Sequence, residues 1–439
     1  MKVRSISNKE KLYEDFERQV DDYNDRKLNI AMFTNNYSPY IGGVPISINR
    51  LANGLREKGH NVFIFAPNYP EADPDNTPYT VRCKLLCYYK RKQFNYAVVN
   101  IFSSQIKKIF ASLNIDVIHV HHPFWMGSLG LTLGKKNRIP VIFTFHTRLD
   151  KYAHFVPCFK TIFEKYFSHY IIQRFSYKCN AIFAPTNSAK AYLEMIGVNR
   201  YKTVLTTSID FSKSDANLSE ISTIRKSYAG ENTFLLCTVS RLSKEKNIFF
   251  ILEGIEKLKE KTDISFKFLL IGDGPEKNTI KKSIREKNLE DIVFLLGAVS
   301  PEKVCKYYSA SDIFVFSSQS ETQGIVLLEA MAGECPVVAI RSNGIDDIIK
   351  DGYNGFKTPK STSLWSEKIL LLMEHPELLK QMSKNAYIFC KDFSIEKMAE
   401  KAEKEYLRVI SSLSHRKTYG DIYYHSMRKN LIRLKNFNL

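Results

Sequence analysis

Strand-length apolar runs alternate with segments of helical spacing along almost the whole chain. In the first half the runs fall at 28–34, 62–66, 116–120, 141–145 and 181–184. In the second they fall near 234–239, 266–271, 292–295, 313–316 and 336–340. Runs of this length between glycine and polar turns are expected to be strands. A strand followed by a helix, repeated, implies a parallel sheet with helices on both faces. The alternation breaks in the polar, irregular stretch 204–222, the expected linker between two such units. A chain of 439 residues should hold two domains. The expected division is a hydrophilic extension over 1–27, domains over 28–212 and 213–392, an amphipathic helix over 393–412 and a basic tail over 413–439.

Ligands of parallel α/β sheets sit at the carboxyl ends of the strands. Three strand ends in the second half carry residues suited to an anion. After 313–316 come Ser320-Glu321-Thr322-Gln323-Gly324, then apolar positions 325, 328, 331 and 332 at helical spacing, so a helix is expected to begin near Thr322. A strand, a tight turn and a helix N-terminus offer free N–H groups and a positive dipole end. Glu321 lies beside that anion site, and Glu329 lies one to two turns into the helix. After 234–239, Arg241 and Lys246 sit where cations can meet a pyrophosphate. After 266–271, Gly272-Asp273-Gly274-Pro275 forms a glycine turn. A ligand of hydroxyls, diphosphate and more hydroxyls would touch all of these, which is the chemistry of a nucleotide-sugar. Hydrolysis by the glutamate pair is disfavoured, because two carboxylates that cleave a glycosidic bond face each other across it.

Together with Gly42-Gly43-Val44 and with His146 in Thr144-Phe145-His146-Thr147, these segments resemble the retaining glycosyltransferases called group 1 or family 4, over about residues 28 to 395. Gln323, the stretch from Phe145 to Pro157 and His119-Val120-His121-His122-Pro123-Phe124 resemble the branch that glucosylates diacylglycerol. The resemblance implies a GT-B fold, with two Rossmann-like domains facing across a cleft and the last helix crossing back onto the first domain. It implies transfer of a hexose, glucose from UDP-glucose, to a membrane lipid hydroxyl. Catalytic roles would fall to His146, Glu321, Arg241 and Lys246. Donor binding would fall to Gly43, Gly272, Gly274, Val299, Thr322, Gln323, Gly324 and Glu329 beside them. Glu329 would take the ribose hydroxyls, and His146 would lie near the transferred sugar. The leaving diphosphate would be neutralised by Arg, Lys and a helix dipole, with no metal and no other cofactor. His119, His121 and His122 are not expected to bind zinc, since adjacent histidines on a strand diverge and no acidic or thiolate partner is near.

The net charge of +18 is unevenly spread. No acidic residue occurs between Asp75 and Asp116, where Arg82, Lys84, Lys90, Arg91, Lys92, Lys107 and Lys108 interleave with aromatics. A second stripe sets Lys160, Lys165, Arg174 and Lys178 around aromatics at 159, 163, 166, 167 and 170. Two such stripes in one half suit an anionic bilayer surface. Nothing resembling a nucleic-acid motif accompanies them. The first 26 residues lack the apolar core of a signal peptide, and no apolar run reaches the ~20 residues that span a bilayer. The expected location is cytoplasmic, peripheral on the inner face of the cell membrane. The eight cysteines show no metal or disulfide spacing and are expected to be reduced. A polyprenyl-linked or soluble glycan acceptor is the alternative. A non-catalytic membrane- or RNA-binding protein on the same fold is a further one.

Overall fold

The computed structural model describes residues 26–40, 42–71, 79–91, 94–150, 166–211, 218–230, 232–342 and 344–413. Its first sheet has seven parallel strands: β1 (Asn29–Phe33), β2 (Asn61–Pro67), β3 (Thr80–Cys83), β6 (Val117–Val120), β7 (Val141–Thr144), β8 (Ala181–Ala184) and β9 (Lys202–Val204). Their order is β3-β2-β1-β6-β7-β8-β9, so the winding reverses between β1 and β6. Strands β4 (Leu85–Arg91) and β5 (Phe94–Val99) form a separate antiparallel pair. The second sheet has six parallel strands: β10 (Phe234–Val239), β11 (Phe266–Ile271), β12 (Val293–Gly297), β13 (Ile313–Phe316), β14 (Val337–Ile340) and β15 (Gly355–Thr358). The order β12-β11-β10-β13-β14-β15 reverses between β10 and β13. Crevices at such reversals are where doubly wound folds take ligands.

The central strands β1, β6, β7, β8, β10, β13 and β14 are buried almost end to end, which explains their unbroken apolar runs. Each sheet has a core on both faces. In the first domain one face packs Phe33, Phe65, Phe110, Phe143 and Phe175. The other packs Ile30, Ile64, Ile142 and Phe183 against Ile48, Leu51 and Leu55 of α1 (Gly43–Glu57). A helix over 395–413 completes that second face with Met398, Ala399, Ala402, Tyr406, Leu407 and Val409. Gly54 of α1 allows the close approach, since a Cβ there would meet Ile395 at 2.7 Å.

Two expected boundaries move. The polar stretch 204–222 is not all linker, because α2 (Leu218–Tyr228) occupies its last residues. Ile221, Ile224 and Tyr228 recur at helical spacing and pack on the second domain. The helix expected to begin near Thr322 starts at Ile325, as α3 (Ile325–Ala332). Gly324 takes a left-handed conformation, φ 68°, as its N-cap and turns the chain sharply just before it. The seven described cysteines are free, and Cys158 lies outside the described residues. Among the described residues, no helix is long and apolar enough to cross a membrane.

Candidate active site

The three site-like segments of the second half lie side by side, because β11, β10 and β13 are neighbours. Gly272 N donates to Gly297 O at 2.8 Å and Leu242 N to Asp273 O at 3.0 Å, lacing the loops after β10, β11 and β12 together. Gly272 has φ +141°, and a Cβ there would lie 1.8 Å from the Ser240 carbonyl oxygen. Only glycine permits that approach. On the other side, Ser317 Oγ, at the end of β13, lies 2.8 Å from Lys246 O and 2.9 Å from Asn247 O. Lys246 ends a 3₁₀ turn, Lys244–Lys246, and its ammonium forms an ion pair with Glu321. Burial pushes the Glu321 carboxyl up, but the Lys246 ammonium and the Ser318 hydroxyl outweigh it and hold the group below the ordinary 4.5. Arg241 is half-buried in the same loop, and Val299 is half-buried beyond β12.

The facing wall is built from histidines at the carboxyl ends of β6 and β7. His146 Nε2 lies 2.9 Å from His121 Nδ1, and the rings stack with centroids 5.2 Å apart. His121 in turn packs on His119, at 4.2 Å between centroids. His119 bonds to Tyr406 Oη at 2.7 Å and Thr144 Oγ1 at 2.6 Å. His122 Nδ1 accepts from the Asn35 amide at 3.2 Å. Burial lowers every one of these imidazoles: His119 to about 3 and His122 to about 4. His121 and His146 are held well below the usual 6.5 by burial and by each other's neighbours. All four are therefore neutral at neutral pH. No group of three or more His, Cys, Asp or Glu among the described residues is arranged to hold a metal ion.

The two walls meet through the Thr322–Gly324 turn. Thr322 Oγ1 donates to the His146 carbonyl at 2.8 Å, and the Thr186 hydroxyl donates to Thr322 O at 3.0 Å. The Gln323 amide is buried and grips the backbone of Thr207, accepting from its N–H and donating to its C=O, both at 2.8 Å. Gly43, at the start of α1, faces Ile325 across the cleft, a Cβ on it lying 3.6 Å from the Ile325 side chain. Glu329 accepts from Arg50 of α1 at 2.7 Å. The sequence signalled neither that partner nor the bond between His121 and His146.

Of the basic-aromatic stripe, Lys160 and Lys165 lie outside the described residues. Arg174 and Lys178 are exposed at the end of the helix Ser168–Tyr177 in the first domain. Around them Tyr166, Phe167, Tyr170 and Tyr177 expose between 52% and 72% of their surface.

Two doubly wound sheets face each other, one edge lined with glycine turns and the Lys246–Glu321 pair and the other with neutral imidazoles. That arrangement is a two-domain α/β enzyme of the GT-B fold. The description "Glycosyltransferase Family 4" matches residues 41–212, and "Glycosyl transferases group 1" matches residues 220–389. An alpha-monoglucosyldiacylglycerol synthase of Acholeplasma laidlawii is 30% identical over 393 residues, covering 87% of this chain and 98% of that one. The enzyme of the same name from Streptococcus pneumoniae is 28% identical over 398 residues, covering 89% of this chain and 88% of that one. Among solved structures, sucrose-phosphate synthase from Thermosynechococcus elongatus superimposes with a TM-score of 0.72 at 18% identity, covering 88% of this chain and 100% of that one. Anabaena HepE, solved with UDP and glucose, gives a TM-score of 0.66 at 18% identity, covering 86% of this chain and 98% of that one. The chain belongs to the group 1 / family 4 glycosyltransferases.

Proposed function

We propose that the protein transfers glucose from UDP-glucose to a membrane lipid hydroxyl, diacylglycerol in the first place, with retention at the anomeric carbon. The observation that carries the reading is the convergence of Arg241, Lys246, Glu321, the Gly272 and Gly274 turn and the N-terminus of α3 on one sheet reversal. Loss of UDP breaks the bond between the sugar and the diphosphate and leaves the electron pair on a phosphate oxygen. Arg241 and Lys246 stabilise that growing charge, the largest electrostatic demand of the step, and no metal or other cofactor is needed. Glu321 accepts hydrogen bonds from donor-sugar hydroxyls and Glu329 from the ribose. His146, kept neutral, offers a polar atom to the sugar without placing a second positive charge beside an oxocarbenium-like centre.

The lipid acceptor is supported by the open aromatics around Arg174 and Lys178, and by the names of the relatives from Acholeplasma laidlawii and Streptococcus pneumoniae. On this reading Lys160 and Lys165 belong to the same stripe, and the enzyme works peripherally on the inner face of the cell membrane. Incubating labelled UDP-glucose with diacylglycerol vesicles, polyprenyl carriers and soluble sugars, with and without EDTA, tests it. An α-glucosyl lipid formed at the same rate in EDTA is expected. Full-rate glucosylation of a soluble sugar with none of the lipid overturns the acceptor, and a β-linked product overturns retention.

A further inference from the structure

Arg50 stands on α1 of the first domain, yet its guanidinium reaches out of that domain. Nη1 donates to the Ser208 carbonyl in the segment that joins the two sheets, at 2.7 Å. Nη2 donates to Glu329 Oε1 on α3 of the second domain, also at 2.7 Å. The two side chains are only 12% and 21% exposed, so solvent screens the pair weakly. Tyr308 is fully buried, and its hydroxyl has no hydrogen-bond partner among the described residues. Burial, then the Glu329 charge, raise that phenol well above its usual value, so it stays protonated. A carboxylate can accept about four hydrogen bonds over its two oxygens. Arg50 therefore fixes the Glu329 carboxylate without saturating it, and a planar fork anchored on a backbone carbonyl fixes orientation as well as charge.

We propose that Arg50 is a positioning residue for the ribose of the donor, acting from the opposite domain through Glu329. The inference rests on the reading of Glu329 as the acceptor for ribose hydroxyls, and deepens it. Because the anchor belongs to α1 and the joining segment, the ribose contact is complete only while the two domains stand as they do here. A donor that lacks ribose hydroxyls gains nothing from Arg50.

Calorimetry on the full chain with UDP and with 2′,3′-dideoxy-UDP tests this, using wild type, Arg50→Met, Arg50→Lys and Glu329→Gln. Wild type should prefer UDP by about 10-fold or more, the usual weight of a hydrogen bond to a charged group. Arg50→Met should lower UDP affinity to near that of the dideoxy nucleotide and leave the latter unchanged. Arg50→Lys, which keeps the charge but not the fork, should fall between, and it carries the test if Arg50→Met does not fold by circular dichroism. Tighter UDP binding by Arg50→Met would make Arg50 a competitor for Glu329 and overturn the proposal. An equal loss for both nucleotides, or no loss, overturns it too. If Glu329→Gln keeps the preference for UDP, the ribose reading itself fails. If Glu329→Gln abolishes the preference and Arg50→Met retains it, the role of Arg50 alone fails.

Discussion

Replacing Lys246 by Met leaves the Glu321 carboxylate half-buried without the cation that now holds it ionised. Its pKa in the folded protein lies below 4.5, so the pair contributes stability that is fully present above that value and is lost as the pH falls through the folded value. In Lys246→Met the burial that raises the carboxyl acts unopposed by that ammonium. Thermal unfolding followed from pH 7 to 3.5 should show the wild-type Tm falling below about pH 4.5, while the variant starts lower and falls less. A variant curve parallel to wild type would mean the ion pair contributes nothing. Turnover of Lys246→Met should drop by orders of magnitude, since the leaving group loses a charge partner. Glu321→Gln should bind bare UDP as wild type does and lose only the increment that the sugar adds, as read by calorimetry with UDP and UDP-glucose. At this scale Arg241, Lys246 and Glu321 stand out in the sequence because each lies in a loop that follows a strand, and Glu329 because it lies in the helix after the last of those loops. Arg50 was not, since nothing local distinguishes an arginine on α1 from a solvated one, and its partner is 279 residues away.

Strand ends and helix starts depend on backbone conformation, which local composition reports unevenly. The central strands were readable as apolar runs because both faces of each sheet are covered. The start of α3 was not, because the left-handed Gly324 delays it by three residues beyond the Thr322 that spacing suggested. The histidines after β6 and β7 were visible singly, but their mutual packing depends on the pairing of those strands, with His119 opposite Ile142. The burial of these imidazoles has a measurable result. His119 and His122 titrate at about 3 and about 4 in the folded chain, against 6.5 unfolded. Depressed values mean that the native state binds fewer protons, so stability is complete above pH 6.5 and declines as the pH falls toward those folded values. Urea unfolding midpoints should therefore fall steadily between pH 6.5 and 4. His119→Phe should be less stable at pH 7, because Tyr406 and Thr144 lose their partner, at about 1–3 kcal/mol for a buried unpaired group. Its midpoint should also change less with pH, and an undiminished slope would remove His119 from the account.

At the scale of the molecule, charge and topology govern behaviour. On the proposed reading, a surface that pairs open tyrosines with Arg174 and Lys178 attracts anionic bilayers by about 1 kcal/mol per basic residue. Sedimentation with vesicles should show binding that rises with anionic lipid and weakens between 50 and 500 mM salt, roughly a three-fold shortening of the screening length. Replacing Lys160, Lys165, Arg174 and Lys178 by Ser should release the protein from vesicles while UDP binding survives; retention on vesicles would move the docking surface elsewhere. The helix over 395–413 carries a different consequence, one of time rather than place. Its side chains Met398, Ala402 and Tyr406 close a core whose other members begin at Leu28. The ribosome therefore delivers the last piece of the first domain after the whole second domain has emerged. Until then part of that face of the first sheet lies open to water or to chaperones, so this enzyme cannot be finished from its beginning.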